Sequence, residues 1–325
     1  MQGKDFVGVA DLDGPRLATV LERAARLKHD RQIGRPHVLL PGRVVALIFQ
    51  KPSLRTRVSF EVGMAELGGQ ALYLSPAEVG LGERESPADV ARVLSRMVHG
   101  IVARTFSHRD VEILAQEATI PVVNGLTDVE HPCQALADLQ TMAEHAGRLQ
   151  GVTVAYVGDG NNVTHSLMLA APHVGVGLRI ATPPSYRPSP EITQQAESLA
   201  EDAGTELSLM DDPYAAVRGA DFIYTDTWYS MGQEAEAAER RPIFKGYQVN
   251  AELLRAAGPG VKILHCLPAH RGDEITDEVL DGPASVVYDQ AENRLHAQKA
   301  LLVELLAHPR AAMGTSRPHG TPDGE

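Results

Sequence analysis

Short apolar, β-branched runs alternate along this chain with stretches whose apolar residues recur three and four apart. That alternation restricts it to parallel sheets layered with helices. The strand candidates are 44–50, 71–74, 100–106, 121–124, 152–158, 178–182, 206–210, 221–226, 262–266 and 285–289. Between them, Leu136, Leu139, Met142 and Ala143 carry the helical spacing. Ser86-Pro87-Ala88-Asp89 combines a cap, a first-turn proline and an early acid, and so predicts a helix start. Gly68-Gly69 predicts the end of a helix that opens at Ser53. At 325 residues the chain exceeds what one core ordinarily organises. The expected fold class is therefore α/β: two doubly wound domains, each a mainly parallel sheet with helices on both faces. A helix over 131–146, followed by Gly147 and Gly151, places the boundary between 1–147 and 148–290. A C-terminal helix over 291–308 is expected to complete the first domain. Residues 311–325, rich in Gly, Pro, Ser and Thr, read as a flexible tail.

Charge and cysteine content narrow the class of partner. Acids outnumber Lys and Arg 42 to 30, giving a net charge of −12, which argues against nucleic acid and anionic membranes. An anionic small molecule stays compatible, because local arginines can outweigh the global field. With Cys133 and Cys266 alone there is neither a disulfide framework nor a cysteine-rich zinc pattern. The pairs His131/Cys133 and His265/Cys266 do not follow the ligand spacings of structural zinc sites, so no metal is expected. No window reaches the length of a membrane span, and the acidic N-terminus lacks a signal-like apolar run, so a cytoplasmic location is expected.

Sheets of this kind bind ligands beyond the carboxyl ends of their strands, where this chain concentrates unusual polar chemistry. After 44–50 comes Lys51-Pro52-Ser53-Leu54-Arg55-Thr56-Arg57. A helix start there offers unpaired N–H groups and a positive dipole end. Ser53 and Thr56 add hydroxyls, while Arg55 and Arg57 add forked cations suited to phosphate. A capped helix with two solvated arginines has the same local pattern, so the other strand ends must decide. They carry Arg104-Thr105, His131-Pro132-Cys133-Gln134, Gly158-Asp159-Gly160-Asn161-Asn162, Asp226-Thr227-Trp228-Tyr229-Ser230-Met231-Gly232, His265-Cys266-Leu267-Pro268 and Glu292-Asn293-Arg294. The glycine loop is not a dinucleotide fingerprint, since Val163 occupies the third glycine position and 178–182 lacks a ribose-binding acid. Its asparagines suit the carboxylate and ammonium of an amino acid, in preference to an ordinary strand-to-helix turn using Asn for local hydrogen bonds.

Taken together, these segments and the run Ala291-Glu292-Asn293-Arg294-Leu295-His296-Ala297-Gln298-Lys299-Ala300 resemble the ornithine carbamoyltransferases, over nearly all the chain to about Leu306. The first element and His-Pro-x-Gln are shared with aspartate carbamoyltransferases. Asp-x-x-x-Ser-Met-Gly and His-Cys-Leu-Pro are the ornithine-specific parts. The resemblance implies transfer of the carbamoyl group of carbamoyl phosphate to the δ-amine of L-ornithine, giving citrulline for arginine biosynthesis, without a cofactor. It implies a carbamoyl phosphate site of Ser53, Leu54 through its backbone, Arg55, Thr56, Arg104, His131, Gln134 and Arg294, with Cys266 and Leu267 at the reaction centre. It implies an ornithine site of Asn162, Asp226, Ser230 and Met231, with Arg55, Arg104, His131, Asp226 and Cys266 as the catalytic set.

The resemblance also implies a homotrimer, and it marks two departures. Gly80-Leu81-Gly82 stands where many relatives have Gln-x-Gly, whose Gln reaches a neighbouring subunit's ligand, and Leu54 replaces a common hydroxyl residue. The charged stretch from Met231 to Phe244 reads as a lid over ornithine rather than a solvated loop. Rival acceptors are aspartate, which needs extra cations; putrescine, which leaves Asn162 without a carboxylate; and an acylated ornithine, which requires changes in 265–271. A non-catalytic scaffold on the same fold is the rival from another class.

Overall fold

The computed structural model describes residues 5–229 and 234–307 and contains two parallel sheets. The first comprises β1 (Val44–Phe49), β2 (Gln70–Leu74), β3 (Gly100–Arg104) and β4 (Val122–Leu126), in the order β2-β1-β3-β4. The second comprises β5 (Thr153–Val157), β6 (Gly177–Ala181), β7 (Leu207–Met210), β8 (Phe222–Thr225) and β9 (Lys262–His265), in the order β7-β6-β5-β8-β9. Helices cover both faces of each sheet, as the alternation of patterns predicts.

The period of two along each strand explains the layering. Val45, Leu47 and Phe49 of β1 enter one core while Ala46 and Ile48 enter another on the opposite face. Val154 and Tyr156 of β5 join the same core as Val45, whereas Ala155 and Val157 face a third. One apolar core thus runs continuously between the two sheets and fixes their strand ends relative to each other. Leu47 is fully buried, and truncation to Ala would cost about 2–5 kcal/mol in transfer and cavity terms.

Local signals act where the sequence places them. Ser53 caps the helix Leu54–Glu66, and Ser86 caps Pro87–Leu94 by accepting from Asp89 N at 3.1 Å. Gly68, at φ 80°, ends the first of these helices, with Gly69 N returning to Met64 O at 2.8 Å. The tenth strand candidate, 285–289, is a correction. Ser285 makes only an isolated bridge to Ile263, and Val287 already begins the last helix, Val287–Leu306, so that helix opens before residue 291 and ends before 308. It packs against Gly14–Gln32, Leu54–Glu66 and Pro132–Ala146, which brings Arg294 back to the first sheet. Among the described residues, no helix is long and apolar enough to cross a membrane. Ser230, Met231 and the stretch 311–325 lie outside the described residues.

Candidate active site

Each sheet has one place where the strand order reverses, and a crevice opens there. In the first sheet it lies between β1 and β3, in the second between β5 and β8. The two crevices face a common cavity of about 880 Å³. Its walls include Ser53, Leu54, Arg55, Thr56, Arg104, His131, Asn162, Asp226, Cys266, Leu267 and Arg294. Eleven dispersed sequence candidates therefore meet in one place.

On the side of the first sheet, Thr56 is the hub. Its Oγ1 receives Ser53 Oγ at 3.0 Å, Arg104 Nη1 at 3.4 Å and Arg294 Nη2 at 2.9 Å. A register shift between Ala103 and Arg104 interrupts the β3–β4 ladder where Arg104 turns toward the cavity. Arg294 also reaches His131 Nε2 at 3.3 Å and donates to Gln134 Oε1. Gln134 is not on the cavity wall; it stands behind Arg294 and acts through it in this geometry.

Burial sets the electrostatics of this half. Desolvation, with Arg294 and Arg55 nearby, lowers the Arg104 guanidinium from its ordinary range to about 9. Desolvation and the same cations push the His131 imidazole well below its ordinary value, so it is neutral in any ordinary assay. Converging cations next to the open N-terminus of a 13-residue helix form an anion site. Arg57 does not belong to it, contrary to expectation. It is exposed, pairs with Glu61 at 2.9 Å and stacks over Tyr73. Residues two apart on a helix face different ways, so Arg55 and Arg57 cannot both reach the crevice.

On the side of the second sheet, Asp226 holds two neighbours. Oδ1 accepts from the Cys266 thiol at 2.9 Å, and Oδ2 accepts from Asn161 Nδ2 at 2.8 Å. Desolvation and the Asp226 charge push the Cys266 thiol well above its usual range, so it is a neutral donor and not a nucleophile. Asn162 also lines the cavity, with its amide donating to Thr127 O. Gly160 is required for shape, because a Cβ there would sit 2.3 Å from Pro188 N. Leu267 adopts φ 58°, a conformation that costs a non-glycine residue about 1–2 kcal/mol, and its N–H is anchored on His265 Nδ1 at 2.9 Å. Asp226, His265 and Cys266 each bring one potential ligand atom within 4.8 Å of the others. The His265 nitrogens are already engaged, however, by Leu267 N–H and by Glu274 at 3.1 Å. Cys133 is fully buried and its thiol is pushed up to about 12 by desolvation, as suits a small core residue.

Sequence reasoning missed several partners. In the glycine loop, Asn161 takes the local turn role, its Oδ1 accepting from Val163 N at 3.0 Å and Thr164 N at 3.2 Å, while its amide reaches Asp226 and Asp159 holds Arg240. Arg240 belongs to a stretch that alone reads as solvated. It is instead buried on the helix Ala237–Phe244, donating to Asp159 Oδ2 at 3.0 Å and Trp228 O at 2.9 Å, with its guanidinium over Tyr186. Glu236, four residues earlier, also accepts from it at 2.9 Å, but the contacts to Asp159, Trp228 and Tyr186 that bury it come from outside its helix.

Comparison with known proteins agrees with this geometry. Residues 4–144 match the family model described as aspartate/ornithine carbamoyltransferase, carbamoyl-P binding domain, and 150–305 match its Asp/Orn binding domain. The ornithine carbamoyltransferase of Thermococcus kodakarensis is 54% identical over 302 residues, covering 93% of this chain and 96% of the relative. The relative from Pyrococcus furiosus named ornithine carbamoyltransferase, anabolic, is 55% identical over 302 residues, with the same coverage of 93% and 96%. A solved ornithine carbamoyltransferase structure from Pyrococcus furiosus superposes with a TM-score of 0.92 at 54% identity, covering 95% of this chain and 98% of that one. One from Thermus thermophilus gives 0.83 at 47% identity, covering 93% and 99%. The chain belongs to the aspartate/ornithine carbamoyltransferase family.

Proposed function

We propose that this chain transfers the carbamoyl group of carbamoyl phosphate to the δ-amine of L-ornithine, releasing L-citrulline and phosphate. One observation carries the reading: a cavity with buried arginines around Thr56 on one wall and Asp226 with Cys266 on the other. The phosphate takes the N-terminus of Leu54–Glu66, with Ser53, the Leu54 backbone, Arg55 and Thr56. The carbamoyl group lies against Arg104, His131 and Arg294, with Gln134 supporting it. Ornithine occupies the Asn162 and Asp226 side, with Ser230 and Met231 completing it. The δ-amine attacks the carbonyl carbon and a tetrahedral oxyanion forms. The attacking nitrogen then sheds one proton, the C–O bond to phosphate breaks, and the bond's electron pair and that proton leave with phosphate. Arg104, Thr56 and neutral His131 are donors to that oxyanion, preorganised by the contacts that already join Arg104, Arg294, Thr56 and His131. Arg55 and the helix N-terminus take the charge growing on the leaving phosphate. Holding two substrates in register supplies much of the rest.

The domain assignment follows the same reading. Residues 1–147, joined by the C-terminal helix, hold carbamoyl phosphate, and 148–290 hold ornithine. The helix Ala237–Phe244 acts as part of a lid, tied to the glycine loop through Arg240 and Asp159. A homotrimer in the cytoplasm is the assembly we expect. Leu54 and Met97, 74% and 72% exposed, together with exposed Val58 and Leu72 give the surface apolar side chains that subunit contacts could cover. The citrulline-forming direction is supported by the name of the Pyrococcus furiosus relative. Purified protein supplied with carbamoyl phosphate and ornithine should release citrulline and phosphate one for one. Tight carbamoyl phosphate binding without citrulline would instead support a non-catalytic scaffold.

A further inference from the structure

Behind the cavity, a fully buried carboxylate that the mechanism does not use touches both halves of the site. Asp138 Oδ1 accepts from Gln134 Nε2 at 2.8 Å and from Gln290 Nε2 at 2.7 Å. The other end of each amide points at the chemistry. Gln134 Oε1 accepts from Arg294, and Gln290 Oε1 accepts from His265 N at 2.8 Å, at the start of the turn that carries Cys266 and Leu267. Asp138, Gln290 and His265 are 0% exposed, so water cannot substitute for a lost partner in this chain of contacts.

We propose that Asp138 and Gln290 are positioning residues that fix, from one shared oxygen, the carbamoyl-side amide of Gln134 and the acceptor-side turn at His265. The argument is one of donor and acceptor inventory. A glutamine amide can point either end forward, and its surroundings choose. Because an ionised carboxylate only accepts, Asp138 draws the NH₂ ends of both glutamines toward itself. Both carbonyl ends are thereby turned outward, one to Arg294 and the carbamoyl group, the other to the His265 backbone N–H. Spacing supports the assignment. Gln134 and Asp138 are four apart on one helix, and Gln290 and Arg294 are four apart on another, so each helix contributes one residue at the site and one behind it. The two half-sites come from different sheets, and this relay links them through side chains without passing through the substrates.

The inference rests on the reading of the site given above, and the test separates the two. Carbamoyl phosphate affinity is measured by calorimetry, independently of any acceptor, beside kcat with ornithine and the melting temperature. Gln290→Leu should lower kcat about tenfold while leaving carbamoyl phosphate affinity within about twofold, since misplacement at a distance is felt mainly in the assembled complex. Asp138→Leu should weaken carbamoyl phosphate about tenfold and lower kcat about 100-fold, because both amides are released. Asp138→Asn should recover most of this, because its Oδ1 can accept from both glutamines while its NH₂ faces the Tyr224 hydroxyl beside it. The double variant should be no worse than Asp138→Leu, as residues acting in one unit are not additive. Lowered melting temperature with unchanged kcat and affinity, or an Asn variant as impaired as Leu, would overturn the relay. Where Asp138→Leu does not fold, Gln290→Leu decides alone, since it leaves the Gln134 contact in place; unchanged kcat there overturns the proposal. Failure of the wild-type protein to use ornithine would strike the acceptor reading, while the affinity comparison would still test the relay.

Discussion

Replacing Arg104 by Met should make the empty protein more stable and the enzyme nearly inactive. Arg104 is 7% exposed, and its guanidinium falls from its ordinary range to about 9, first through desolvation and then through Arg294. At about 1.4 kcal/mol per tenfold, holding that charge in the fold costs on the order of 5 kcal/mol relative to water. The sign follows from proton binding. Above about pH 9 the fold gives up a proton that the unfolded chain still holds, so stability rises with pH there, and at pH 7 the whole cost is present. Met keeps much of the apolar stem. It forfeits the Thr56 hydrogen bond, the guanidinium's further contacts and some packing, leaving a net gain on the order of 2 kcal/mol. For a chain of 325 residues that corresponds to an upward shift of roughly 3 °C in Tm. Carbamoyl phosphate should reverse the order. Saturating the wild type at 100 times Kd adds about 2.7 kcal/mol through linkage, and the variant should gain almost none of it. Loss of one oxyanion donor should lower kcat by about 100- to 1000-fold. Differential scanning fluorimetry of both proteins, with and without carbamoyl phosphate, reads all but the last. A variant that melts lower when empty yet keeps the ligand-induced shift would refute the argument.

Other perturbations divide the site. Arg55→Ala should raise KM for carbamoyl phosphate and Asp226→Asn that for ornithine, each by at least about tenfold for the loss of a charged contact; exchanged effects would reverse the two half-sites. Activity should climb from pH 6 to about 8.5, because the ornithine amine must lose a proton and neutral His131 does not titrate in that range; a flat profile would count against rate-limiting attack by the amine. Glu130, raised to about 7 chiefly by desolvation, holds a proton in the fold that the unfolded chain releases near 4.5. Its contribution is full below pH 4.5 and fades as pH rises through 7, so Glu130→Gln should gain on the order of 2 kcal/mol relative to wild type at pH 8 over its effect at pH 5. Urea titrations showing the same difference at both pH values would contradict this. Residues 234–244 should gain protection from hydrogen exchange when both substrates bind, and Arg240→Ala should abolish that gain; exchange that ignores the ligands would leave the segment a fixed surface element.

The sheets were legible because apolar period-two runs leave few alternatives, and the nine observed strands fall inside or within a residue or two of their candidate ranges. The run 285–289 misled because five residues of Ser, Val, Val, Tyr and Asp do not separate a short strand from a buried helix start. Arg57 misled because cation content was counted without the helical angle that turns it toward Tyr73. Most site residues were legible by resemblance. The polar groups supporting them were not, because Asp138, Gln290 and Arg240 are placed by Gln290, His265 and Asp159, each distant in sequence from its partner. Asp138 left one trace, its spacing of four from Gln134.

The most direct test of the account is a citrulline-type assay with carbamoyl phosphate and a panel of ornithine, N-acetylornithine, putrescine and aspartate. The Asp226, Cys266 and Asn162 wall predicts rapid turnover with ornithine alone. Preference for another amine would contradict the acceptor half of the site while sparing the arginine half, and absence of turnover with every acceptor would contradict the account as a whole.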